Sequence, residues 1–245
     1  MICSLLSAEW LKTKRSVFKL MLFSAPILFN LFIFSYLFLS QQKVSINHFC
    51  FNYFAVINFL LPFMLSFTLA LLSQIEQDAN QFNNILGLNR HYYLLLSAKF
   101  AFSFLTISGS FLFNISLTII LLKIAFNVPI AFYVSGFSYS FTLIWCAFMT
   151  WFVLCFFLSI LCRFITMFFF GLATSLLTAI IGLTALGNDI WPFFPFTWGS
   201  RLISISYFDL IVLFNEHIFL GFLYLVSPLI IFFILLFSCV SILRK

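Results

Sequence analysis

Six stretches of the chain, roughly 18–40, 51–73, 98–122, 137–162, 164–186 and 219–242, run almost without a charged side chain. About 20 mostly apolar residues suffice for a helix to cross the hydrocarbon of a bilayer. In that medium a backbone must pair its own polar groups, which a helix does and an open strand does not. The reading that follows is an all-α integral membrane protein with six transmembrane helices in one domain, residues 1–245. Composition agrees: 64% of the 245 residues are hydrophobic and 7% are charged. A soluble domain carries about a quarter of its residues as charges, enough to cover its surface in water. Spans four and five are separated only at Arg163. A single helix there would be over twice a normal span, so a hairpin is expected.

Orientation comes from the basic residues. With the N-terminus in the cytoplasm, Lys12, Lys14, Arg15, Lys19, Arg90, Lys99, Arg163, Arg244 and Lys245 fall inside, and Lys43, Lys123 and Arg201 outside. Basic residues collect on the cytoplasmic side of membrane proteins, so both termini are expected there. The longest outer loop, 187–218, then carries Asp189, Asp209 and Glu216, read as loop solubilisers. Its segment 204–218 is too poor in apolar residues for a span and is expected to re-enter the membrane or lie on it. The first span reads as a retained anchor, because its apolar run is too long for a signal peptide. The net charge of +6 follows from this topology and calls for no nucleic acid.

Two short elements flank the spans. In "MICSLLSAEWLKTKRS", Ile2, Leu5, Leu6 and Trp10 recur at helical spacing, with Ser4, Ser7, Lys14 and Arg15 elsewhere on the wheel. This is the pattern of an interfacial amphipathic helix with Trp10 at headgroup depth and the basic cluster beside the lipid bilayer's anionic lipid. It serves as a membrane anchor or as part of a gate. The second element is "QIEQDANQFNNILGLNRHYYLLLSAK", a polar island between spans two and three. Residues 75–86 read as a short amphipathic helix with Ile75, Ala79, Phe82 and Leu86 on one stripe and Ile85 at its margin. Glu76 and Asp78 fall in its first turns and Gly87 at its stop. An Asn/Gln/Glu/Asp face gains nothing from an anionic leaflet, so a soluble protein partner at the cytoplasmic face is the better account.

Several chemistries are absent from the sequence. There is no GxxxxGK[ST] phosphate loop, no HExxH and no GxSxG. None of the six Cys forms a CxxC pair, and no catalytic or metal-ligating set is expected. The spans hold no Asp, Glu, Arg or His at their centres, which disfavours an ion-coupled secondary transporter. Neutral polar residues do occur there, among them Asn30, Asn58, Ser66, Thr68, Asn114, Ser116, Thr174, Ser175 and Thr178, and are expected to hydrogen-bond between helices. A transporter lacking its own nucleotide site needs a separate ATPase.

"AEWLKTKRS" resembles the entry of permease subunits from bacterial ABC exporters of the six-span class. The polar island is similar to their loop between spans two and three: an acidic residue, a short helix, a break, an Arg, and a Lys opening span three. Here these are Glu76, the helix through Leu86, Gly87, Arg90 and Lys99, with Gly87 where relatives often carry Pro. The length and the aromatic "IWPFFPFTWGSR" resemble most the permeases of lantibiotic immunity and bacteriocin self-protection. The resemblance implies a multi-pass subunit of the bacterial cytoplasmic membrane, not itself an enzyme. It implies a second permease chain, identical or homologous, and cytoplasmic ABC ATPase subunits that carry the ATP and magnesium, this chain binding no cofactor. It implies a coupling helix at 75–86, with Phe82, Ile85 and Leu86 as anchors and Glu76, Asp78 and Arg90 setting orientation. The interfacial helix would use Glu9, Trp10, Lys12, Lys14 and Arg15. The implied substrate is a lantibiotic or another cationic amphipathic peptide, the alternatives being an ABC exporter of another substrate or an ion-coupled carrier.

Overall fold

The computed structural model describes residues 2–40, 46–78, 92–126, 130–187, 190–204 and 234. The expected sixth span and the segment 205–218 therefore lie outside the described residues, Ile234 apart. Six long or medium helices follow in order: α1 (Ile2–Lys12), α2 (Val17–Ser40), α3 (Ile46–Asp78), α4 (Tyr92–Phe126), α5 (Ile130–Leu161) and α6 (Phe164–Leu177). A π turn at Thr178–Gly182, three 3-10 turns and a short α7 (Trp198–Ser204) complete the described chain, which contains no strand. Among the described residues four helical segments are long and apolar enough to cross a membrane: Val17–Leu39, Phe51–Asp78, Leu94–Ile124 and Phe164–Gly182. The shorter apolar segment Ala147–Leu161 lies within α5.

The boundaries differ from the sequence reading at the polar island. Residues 75–78 are not the start of a separate helix but the last turn of α3, which has 33 residues. At 1.5 Å per residue α3 and the 35-residue α4 are each about 50 Å long. The hydrocarbon core is about 30 Å thick, so both have turns to spare beyond it.

The chain divides into two compact units. In the first, built from Met1–Lys43 and Leu71–Phe137, α1 and α2 both pack on α4. Phe102 of α4 meets Phe18 at 6.5 Å and Trp10, in a T-shaped contact, at 6.4 Å. Pro26 lies inside α2 and has no N–H to give the Leu22 carbonyl one turn earlier. Ser110 of α4 supplies the missing donor, its hydroxyl bonding Leu22 O at 2.6 Å. One turn on, Asn30 Nδ2 donates to Pro26 O at 2.9 Å and to Asn114 Oδ1 at 2.7 Å, while Thr118 Oγ1 donates to Asn30 Oδ1 at 2.6 Å. All three side chains are buried, so α2 and α4 are joined by polar bonds where the bilayer offers none. The opposite side of α2 is apolar and bare, with Phe32 74% and Phe38 88% exposed, which suits lipid and not water.

The second unit comprises Val44–Ala70 and Ser138–Lys245. Here α3, α5 and α6 meet at Ser66, whose hydroxyl lies 3.5 Å from Cys155 Sγ. A Cβ at Gly171 of α6 would sit 2.8 Å from Ser66 Cβ and 3.3 Å from Phe63 Cα, so glycine sets this close approach. Phe63 and Phe168 close it edge to face at 5.5 Å. Trp151 of α5 stacks on Phe170 of α6 at 5.7 Å, so the chain folds back across Cys162–Arg163 as a hairpin. The same indole meets Phe196 at 5.2 Å, holding the proline-rich 3-10 segment against the pair. Past the π turn, the Arg201 guanidinium donates to the carbonyls of Ile181, at 2.8 Å, and Thr184, at 2.5 Å. These carbonyls end the helix, and a cation there is favoured by the helix dipole.

Ser110→Ala is expected to lower thermal stability in detergent by about 1 kcal/mol, because a carbonyl left bare by Pro26 loses its donor. Ser116→Ala removes a hydroxyl bonded within its own helix, to Phe113 O, and is expected to change stability by less than about 0.5 kcal/mol.

Candidate functional site

Among the described residues of the first unit, four charges gather where three helices meet. Glu9 and Lys12 stand one turn apart on α1, Glu76 is in the last turn of α3, and Lys99 is in the second turn of α4. Lys99 Nζ donates to Glu76 Oε2, and Lys12 Nζ lies 3.8 Å from Glu76 Oε1. Lys12 Nζ also donates to Glu9 Oε1 at 2.8 Å. The four formal charges sum to zero.

Burial decides what this arrangement is worth. Glu76 is 3% exposed and Lys99 5%, so neither charge is solvated. An isolated buried charge costs several kcal/mol, and only a close, hydrogen-bonded counter-charge offsets it. That requirement ties the end of α3 to the start of α4, on either side of residues 79–91 in the chain. Lys12 adds α1 to the same joint. Glu9–Lys12 alone would be a partly exposed pair of the kind that contributes little. Its weight comes from Lys12 reaching the buried carboxylate.

Beside the cluster the chain turns from α1 into α2. Thr13 Oγ1 takes up the carbonyls of Glu9 and Trp10, at 3.3 and 3.2 Å, and Ser16 Oγ bonds Thr13 O at 2.9 Å. These bonds satisfy the end of α1 in place of further helix. Lys19 Nζ sits 3.5 Å from the centre of the Trp10 ring and donates to Trp10 O at 2.9 Å. Lys14 and Arg15 point outward at the turn, both exposed.

Of the residues expected to act, Glu9, Lys12 and Glu76 come together, whereas Trp10, Lys14 and Arg15 share the adjoining turn. Asp78 is exposed on the end of α3. Phe82, Ile85, Leu86 and Arg90 lie outside the described residues. Glu76 faces inward to Lys99 and Lys12, not outward as an orienting contact on a free helix would. Lys99, legible in the sequence only as the Lys that opens span three, and Lys19, legible only as a cytoplasmic cation, join the cluster and the turn beside it. A signal for Lys99 exists, since it is the only charge within the expected span 98–122 and needs a partner there. The partner lies 23 positions earlier, across the polar island, and no periodicity links them.

The intramembrane polar residues divide in two. Asn30 and Asn114 bond between helices, as expected, and Ser66 meets Cys155. The hydroxyls of Thr68, Ser116, Thr174, Ser175 and Thr178 instead bond carbonyls three or four residues back in their own helices. A hydroxyl in lipid satisfies itself locally when no neighbour offers an acceptor.

Lys99→Met is expected to destabilise the detergent-solubilised chain by about 3 kcal/mol, since Glu76 keeps only the more distant Lys12. Glu76→Met/Lys99→Met is expected to return to within about 1 kcal/mol of the parent, because it leaves a self-neutral Glu9–Lys12 pair. Thermal unfolding of the two single variants and the double variant measures the difference.

Residues 5–186 match the family described as ABC-2 family transporter protein. The match covers most of the chain, which belongs to that family and is a multi-pass membrane subunit of an ABC transporter whose ATPase is a separate subunit. No curated protein and no solved structure matches the chain.

Proposed function

We propose that this ABC-2 family subunit is driven through residues 75–90 by a cytoplasmic ATPase, and that it clears a lantibiotic or similar cationic amphipathic peptide from the membrane, giving immunity or resistance. The observation that carries the coupling half is the Glu76–Lys99–Lys12–Glu9 cluster at the ends of α3, α4 and α1. A force applied to the segment between α3 and α4 reaches helices already locked by a buried ion pair. They then move as one lever, because breaking the pair would strand charges in a dry site. Phe82, Ile85 and Leu86 would anchor the ATPase groove, with Asp78 and Arg90 at its rim. Glu76, for which the resemblance implied a role in setting orientation, would instead pass the movement inward to Lys99.

The cytoplasmic side for this segment and for both termini rests on the positive-inside count of nine basic residues against three. The working assembly would pair two permease chains, alike or homologous, with two ATPase subunits that hold ATP and magnesium. The substrate half rests on the resemblance of "AEWLKTKRS" and "IWPFFPFTWGSR" to immunity permeases. An ABC exporter of another substrate is the second reading. The ion-coupled carrier considered from sequence gives way to the family membership.

Phe82→Asp/Leu86→Asp is expected to abolish peptide resistance in cells and ATPase co-purification, while chain abundance in the membrane stays within about two-fold. Full resistance with normal ATPase binding in that variant overturns the coupling assignment. ATPase binding lost only in the variant, without any peptide phenotype in the parent, overturns the substrate assignment alone.

A further inference from the structure

The charges of the first unit are unevenly consumed. Glu9 and Glu76 are taken up by Lys12 and Lys99, and Asp78 forms no ion pair among the described residues. Lys14, Arg15 and Lys19 are left with no carboxylate partner among the described residues, three positive charges within six positions. They stand at the start of a candidate membrane span, Val17–Leu39. Exposed apolar side chains surround them: Leu11 is 64% exposed, Val17 60% and Leu20 66%. A patch facing water would not combine bare Leu and Val with unpaired cations, and a patch deep in hydrocarbon would not hold the cations. The boundary between headgroups and acyl chains accommodates both.

Lys19 gives the patch a defined geometry. Two residues inside α2, its ammonium turns back over the Trp10 ring and onto the Trp10 carbonyl. The stem thus runs along the helix toward the surface, carrying the charge out of the apolar layer. Trp10 itself is 47% exposed and makes a T-shaped contact with Phe102 of α4, which fixes the indole beside the turn.

We propose that the α1–α2 turn is a binding site for the phosphate headgroup of an anionic phospholipid, with Lys14, Arg15 and Lys19 around the phosphate and Trp10, Leu11 and Leu20 against the glycerol and upper acyl chain. The lipid would neutralise the charge for which the described residues supply no carboxylate. It would also hold α1, which carries Glu9 and Lys12 of the ion-pair cluster. This goes beyond a general bias of basic residues, which concerns a side of the membrane and not a site.

The test uses the full chain in an uncharged detergent, titrated with phosphatidylglycerol or phosphatidylcholine of identical acyl chains, and counts bound lipid by native mass spectrometry. Phosphatidylglycerol is expected to bind on the order of ten-fold more tightly than phosphatidylcholine. Lys14→Gln/Arg15→Gln is expected to erase most of that preference with an unchanged melting temperature, whereas Lys14→Arg/Arg15→Lys keeps it. Lys123→Gln/Arg163→Gln, which removes two exposed cations elsewhere, is expected to leave the preference intact. Equal affinity for the two lipids, or equal loss in both Gln pairs, overturns the proposal. Displacement of phosphatidylglycerol by millimolar inorganic phosphate would assign the patch to a free anion and overturn the lipid source. Because no ATPase enters the experiment, its outcome is independent of the coupling reading.

Discussion

A lysine and a glutamate buried against each other, Lys99 and Glu76, set the terms for the first half of this structure. Neither is solvated, so neither tolerates the other's departure. The pair is made by the ends of two helices that the chain connects only through residues 79–91. It therefore does what a short loop does in a soluble bundle: it holds two ends in register. Lys12 brings the N-terminal helix into the same electrostatic unit. The quartet is neutral as a whole and joins the ends of three helices. In an ABC-2 family subunit, where the energy source is another polypeptide, such a joint lies beside the segment proposed to receive the force.

Elsewhere the structure follows from the poverty of the bilayer as a solvent. Every backbone group that a proline or a helix end frees must find a donor or acceptor inside the chain. Ser110 replaces the hydrogen that Pro26 lacks, and Arg201 covers the carbonyls at Ile181 and Thr184. Asn30, Asn114 and Thr118 exchange three polar groups between two helices. Packing in the second unit uses the complementary device. Gly171 lets α6 approach α3 within contact of its backbone, and rings of Phe63, Phe168, Trp151 and Phe170 fill the remaining space.

Much of the architecture was legible in the chain before any coordinates. Long apolar runs at 18–40, 51–73, 98–122 and 164–186 pointed to spans, and the segments Val17–Leu39, Phe51–Asp78, Leu94–Ile124 and Phe164–Gly182 are helices there, because apolar length decides whether a helix can live in lipid. The hairpin at Arg163 was readable for the same reason of length. The polar island was harder. Its Ile, Ala, Phe and Leu stripe suggested a helix beginning at residue 75, whereas α3 runs on through Asp78. A carboxylate at 76 looked like the favoured acid of a helix start. It is instead an acid at a helix end, where the dipole disfavours it and two lysines compensate.

The difference between the two kinds of knowledge is one of range. Apolar length, the count of basic residues and the missing nucleotide motifs are local or summed properties, and they alone determined a membrane-embedded helical subunit dependent on an outside energy source. Which charges neutralise which is a property of distance in space. Glu76 and Lys99 are 23 residues apart, and Asn30 and Thr118 are 88 apart. Only the packing of α1 and α2 on α4, with Glu76 in the last turn of α3, decided that Lys12 and Lys99 meet carboxylates while Lys14, Arg15 and Lys19 meet none among the described residues.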